Sequence, residues 1–144
     1  QIDWSVVGCL VTDFLLVLLL SSLVSVYFTC KKAKKNNQPL WGPHSRQLLL
    51  NLSIPLLTGG IFCVILFHQG LIALIAPTTL IFYGLALINS GKYSFQEVSY
   101  LGISEIFIGL LGLIFKGQGL IFWGIGFGLL HIVYGILMYM RHDR

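Results

Sequence analysis

Five long apolar runs limit what this chain can fold into. They occupy roughly residues 4–28, 47–67, 71–89, 96–115 and 119–140. Each comes near the roughly 20 residues that an α-helix needs to cross the hydrocarbon core of a bilayer. The runs are continuous, not alternating segments of about ten residues, so they read as helices and not as the strands of a barrel. Composition agrees: charged residues make up 10% of the chain, against about 25% in a typical soluble domain. With 56% hydrophobic residues and a mean hydropathy of +0.87, the chain cannot cover a water-facing surface. The expectation is an all-α integral membrane bundle, a single transmembrane helical domain over residues 1–144.

The connections are KKAKKNNQPLWGPHSR, HQG, SGKYSFQE and KGQG. Ser94 stands three residues before Glu97, the spacing of a capping box, so the fourth helix is expected to start at Ser94. With the first connection on the cytoplasmic side, Lys31, Lys32, Lys34, Lys35, Arg46, Lys92, Arg141 and Arg144 share that side. Lys116 alone lies opposite, and eight plus one account for all nine basic residues. The positive-inside rule then puts the N-terminus outside and the C-terminus inside. The chain starts at Gln1 without a signal-peptide pattern, so a further span upstream is expected. The formal charge of +4 belongs to this topology signal and to anionic lipid, the expected partner of the basic connection. No basic stripe or reading motif points to nucleic acid. Cys9, Cys30 and Cys63 are scattered through or beside apolar runs and read as small packing residues.

Against this background Glu105, near the centre of SYLGISEIFIGLLGLIF, needs a reason. So does His131, slightly past halfway along the fifth run. A charge at bilayer mid-depth costs on the order of 2.5–3.5 kcal/mol, so such residues face the bundle interior and take partners. Gly102, Glu105, Gly109 and Gly112 fall on one helical stripe, as do Gly124, Gly128, His131 and Gly135. Glycine stripes let helix backbones approach closely in a membrane. The simplest expectation is that the two stripes meet and bring Glu105 to His131; another helix or a second subunit is the alternative.

Other polar positions reach similar depth. Asn51, Pro55 and Thr58 share a face, and Pro55 followed by Thr58-Gly59-Gly60 predicts a kink. Pro77-Thr78-Thr79 opens a second kink, with Thr79, Tyr83 and Ala86 on one face. A midplane polar site of Glu105, His131, Tyr83, Thr58 and Asn51 follows, of the sort that interrupted helices build in transporters. LIFYGL at 80–85 and LIFWGI at 120–125 hint at an internal repeat. Asp13 lies in the outer half of the first run and suits pairing or a wet entry. Tyr93, Tyr100, Trp41, Tyr139 and Trp4 fit an aromatic belt.

No phosphate-binding loop, dinucleotide fingerprint, zinc-protease motif or nucleophile elbow is present. Three readings remain. The first is a small transporter or sensor with Glu105 as its protonatable group and His131 as partner. The second is a non-catalytic scaffold or accessory subunit, in which a Glu–His hydrogen bond fixes helix register and a membrane protein or second copy is the partner. The third is an intramembrane enzyme or haem carrier, although His131 has no second intramembrane histidine. No cofactor or metal is expected.

From about LWGPHSR onward, the segments LIFYGLALINSGKY, YLGISEIFIGL and FWGIGFGLLHIVYGILMY resemble a family of small multi-spanning bacterial inner-membrane proteins. The resemblance covers roughly the last hundred residues. It implies a multi-pass protein of the bacterial inner membrane with a further upstream span. It implies no activity and no catalytic residues.

Overall fold

A computed structural model of the chain describes Leu16 and residues 42–93, 96–115 and 117–142. The first apolar run, with Trp4, Cys9, Asp13 and Cys30, lies outside the described residues apart from Leu16, as do the Lys31–Lys35 cluster, Trp41, Ser94, Lys116 and Arg144. The chain divides into Gln1–Gly42 and Pro43–Arg144. The described residues belong to the second unit, except Leu16 and Gly42.

That unit is helical, with no strand among the described residues. Helix α1 spans Pro43–His68, and a 3₁₀ turn at Ile72–Leu74 leads into α2, Ile75–Gly91. Helix α3 spans Gln96–Ile114. The last span begins as α4, Gly119–Gly124, loosens into a π-helical stretch at Ile125–Leu130, and ends as α5, His131–His142. Among the described residues four helices are long and apolar enough to cross a membrane: Ser45–His68, Ile72–Gly91, Gln96–Ile114 and Gly119–Arg141. Their ends fall within two residues of the second to fifth runs read from the sequence.

The turns form where the sequence allows a left-handed residue. Gly70 (φ 74°) ends α1, with Leu71 N–H donating to Leu66 O at 2.9 Å and Gly70 N–H to Phe67 O at 3.0 Å. These two bonds make a Schellman motif, which needs a residue without a Cβ penalty at that position. Gly117 (φ 90°) plays the same conformational part after α3. Pro55 lies inside α1, which runs through it unbroken. Pro77 is the third residue of α2, in its first turn. An amide there has no helical acceptor to lose, so Pro77 marks a helix start and not a mid-span kink.

Burial runs opposite to that of a soluble bundle. Ile54, Leu57 and Ile61 of α1, Ile103, Phe107 and Ile114 of α3, and Ile132 and Ile136 of α5 are exposed. Each set recurs at helical spacing, so each helix turns an apolar stripe outward, as a bilayer solvent requires. Inward lie small residues with a few leucines: Gly84, Ala86, Gly102, Gly109, Gly112, Leu80, Leu87 and Leu101 are buried.

The tightest packing joins α2 to α3. A Cβ on Gly102 would stand 2.6 Å from Gly84 O, and one on Gly84 2.5 Å from Gly102 O. Gly109 is closed by Ile81 Cγ1 (2.7 Å) and Gly112 by Pro77 Cγ (3.3 Å). The glycine stripe of α3 therefore meets α2 and not the glycine stripe of the last span. Gly124, Gly128 and Gly135 have no described atom within 4 Å of a Cβ built on them. The reason is the π-helical stretch: its i→i+5 bonding adds a residue to the turn. That shifts the helical phase between Gly124 and His131 and breaks up the stripe read at 3.6 residues per turn. LIFYGL and LIFWGI accordingly sit in unlike settings, with Gly84 enclosed and Gly124 open.

Candidate functional site

Glu105 is the middle residue of α3 and is wholly buried, at 0% exposure. It sits on the inward stripe that glycines keep narrow, one residue before Ile106, whose backbone N–H lies against Gly84. Across from it stands the last span. A Cβ on Gly126 would fall 2.5 Å from Glu105 Oε2 and 2.5 Å from Leu80 Cδ2. Only glycine lets the helix approach the carboxyl this closely.

His131 Nδ1 is 3.3 Å from Glu105 Oε1 and 3.1 Å from Gly126 O. Gly126 O can only accept, so Nδ1 carries the hydrogen and donates it there. Oε1 is near but outside hydrogen-bond geometry, and among the described residues neither carboxyl oxygen of Glu105 has a hydrogen-bond partner. The short distance is therefore a proximity and not a formed bond. The other ring nitrogen, Nε2, is 2.9 Å from the Tyr83 hydroxyl. On a neutral ring Nε2 has a free lone pair and accepts from Tyr83; on a charged ring it donates to Tyr83. Three helices thus supply Tyr83, Glu105 and His131 to one cluster.

Aromatic rings fix the imidazole. Phe127 stacks on His131 (5.7 Å, 17°), and Tyr83 packs against Phe127 at 4.8 Å. Trp123 continues the wall at 5.0 Å from Phe127. The His131 side chain keeps 32% exposure while Glu105 keeps none. The imidazole is therefore the part of the pair that reaches out of the packing.

The π-helical stretch makes this arrangement. Gly126 lies within this stretch, and its carbonyl, five residues before His131, meets the ring at 3.1 Å. The pair can hold one proton in two ways: on Glu105 with both groups neutral, or on His131 as an ion pair. Such a proton belongs to the pair and not to one residue.

Asn51 and Thr58 stand apart from this cluster. Asn51 Nδ2 donates to Gln47 O at 2.8 Å and Thr58 Oγ1 to Ile54 O at 2.8 Å. Both bonds turn back four residues on α1, the usual way a polar side chain satisfies itself on a membrane helix. Helix α1 faces α2 through Phe82, which closes on Gly59 and pairs with Phe62 at 5.8 Å.

A second polar group lies between α3 and α5. Ser104 Oγ is 3.5 Å from the Tyr134 hydroxyl, and Arg141 Nη1 is 2.9 Å from Glu97 Oε1. Sequence reading did not find this seam, nor Gly126. One signal for the irregular helix was available: GIGFG crowds three glycines at positions 124, 126 and 128, which lowers helix propensity locally. Among the described residues no group of three His, Cys, Asp or Glu side chains is placed to hold a metal. Comparison with protein-family models, curated proteins and solved structures finds no match.

Proposed function

We propose that this chain is a small multi-pass membrane protein, a proton-coupled transporter or proton sensor, in which Glu105 takes up and releases a proton through His131. The observation that carries the reading is the state of the Glu105 carboxyl. It is fully buried, and among the described residues neither oxygen has a hydrogen bond and its one basic neighbour is a half-exposed histidine. A carboxyl kept only to hold helices together would have its oxygens satisfied, because an unsatisfied buried polar group costs about 1–3 kcal/mol. A group retained at such a cost belongs to a working site. On the basic-residue asymmetry and the family resemblance we place the protein in the bacterial inner membrane, with its C-terminus in the cytoplasm.

The scaffold reading has one observation in its favour: Gly126 packs close against the Glu105 carboxyl, whose side chain has no exposed surface. The two readings differ in sign for Glu105→Gln. As a working group held against stability, Glu105 gives way to Gln with unchanged or raised thermal stability. As structural glue, its loss lowers stability and couples strongly to His131→Gln in a double-mutant cycle. Thermal unfolding of the purified protein and these variants decides between them, and a coupled loss would overturn the proposal.

A further inference from the structure

We infer that the Glu105–His131 pair exchanges its proton with the membrane face bearing Glu97 and Arg141, along a polar seam through Tyr134 and Ser104. The inference rests on the protonatable role of Glu105 proposed above. Its ground is a difference between the two ends of the helix pair.

At one end a cavity of about 450 Å³ opens between the start of α3 and the end of α5, lined by Glu97, Tyr100, Tyr134, Leu137, Met140 and Arg141. That volume has room for on the order of ten waters at about 30 Å³ each. Tyr134 carries the cavity inward, since its hydroxyl lies 3.5 Å from Ser104 Oγ. Ser104 is the residue before Glu105. Tyr134 is three residues beyond His131, one helical turn away on the same side. Two hydroxyls thus stand between the cavity and the helical level of the buried pair, with Ser104 Oγ donating to Tyr100 O at 3.0 Å. At the mouth, Glu97 and Arg141 close at 2.9 Å, Glu97 being 13% exposed and Arg141 74%. The Arg141 half of the pair is exposed and free to swing away from Glu97.

The other end is sealed by apolar packing. Pro77 lies 3.3 Å from a Cβ built on Gly112 and 3.2 Å from one built on Gly119. Leu80 Cβ lies 3.1 Å from one built on Gly109. The cavity beyond them, about 330 Å³, is lined among the described residues by Gly70, residues 71–74, Gly112, Leu113 and Gly117, none of which carries a hydroxyl or ionisable group. From the helices packed around Glu105, the titratable groups that face it are Tyr83 of α2 and His131 of α5. Neither leads to that end.

The test uses the full chain with Cys9, Cys30 and Cys63 replaced by serine, reconstituted in vesicles of known orientation. Single cysteines at Tyr134, Ser104 and, as a milder change on the same cavity, Leu137 are exposed to a membrane-impermeant thiosulfonate from each face. The inference expects modification from the Arg141 face and its loss from the opposite face at all three positions. Modification of Tyr134→Cys or Ser104→Cys from the opposite face overturns it. So does a Leu137→Cys that reacts while both deeper positions stay unmodified. The infrared carboxyl band of Glu105, followed on the same samples through a pH change, separates the two claims. A band that titrates beside unreactive cysteines leaves the protonatable role standing and removes the route. A band that never changes removes the role and the route with it.

Discussion

Gly84→Ala probes the packing that positions Glu105. The added Cβ would lie 2.5 Å from Gly102 O, 2.7 Å from Ile106 Cγ1 and 3.0 Å from Ile106 N. The isoleucine carbon can rotate away, but the carbonyl and the amide belong to the α3 backbone. A comfortable carbon–oxygen contact is about 3.3–3.6 Å, so α2 and α3 must part locally by roughly 1 Å. A gap of 0.5–1 Å forfeits about a quarter to a half of each dispersion contact it opens. Overpacking of this kind costs about 1–3 kcal/mol, and the better helix propensity of alanine returns about 1 kcal/mol. The expected net loss is up to about 2 kcal/mol, read in a reversible unfolding assay in mixed micelles or bicelles. Gly124→Ala is the internal control. With no described atom within 4 Å of its Cβ, it keeps the propensity gain and is expected to be neutral or stabilised by up to about 1 kcal/mol. A Gly84→Ala protein as stable as Gly124→Ala would refute the assignment of the close-packed face to α2 and α3.

Two further outcomes follow from the site itself. Gly126→Ala should destabilise less than Gly84→Ala, because its Cβ meets the movable side-chain ends Glu105 Oε2 and Leu80 Cδ2 and not backbone; the loss should shrink in a Glu105→Ser background, and equal losses in both backgrounds would mean that Leu80 alone sets the clearance. Nitrogen-15 spectra of His131 in lipid should show the neutral ring protonated at Nδ1, the nitrogen that faces Gly126 O, whereas a neutral ring protonated at Nε2 would contradict the hydrogen-bond scheme.

Four of the spans were legible in the sequence because bilayer thickness sets helix length and the turns carry glycine where φ is positive. The inward position of Glu105 was legible from its glycine stripe, since α3 keeps regular 3.6-residue periodicity throughout. The last span defeated the same reasoning. Its π-helical stretch changes the phase midway, so the stripe of Gly124, Gly128 and Gly135 never forms a packing face with α3. Gly126, which no stripe includes, makes the close approach. Asn51 and Thr58 were misjudged for another reason. Depth along a span says nothing about whether a polar side chain reaches a neighbour or bonds its own backbone four residues back. Tyr83 shares their depth but extends past its own helix to His131, which a hydroxyl on a long aromatic side chain can do and Thr58 cannot.

The claim that matters most is that Glu105 changes protonation state. Infrared difference spectroscopy of the full chain in lipid, across the pH range in which it stays folded, measures this directly. The account predicts a carboxylic C=O band that appears on acidification, shifts in heavy water and is missing from Glu105→Gln. It also predicts that the band is altered by His131→Gln, the group 3.3 Å away. A difference spectrum that is the same with and without Glu105 would mean that the carboxyl holds one state throughout, and that the buried pair is a structural clamp between α3 and α5.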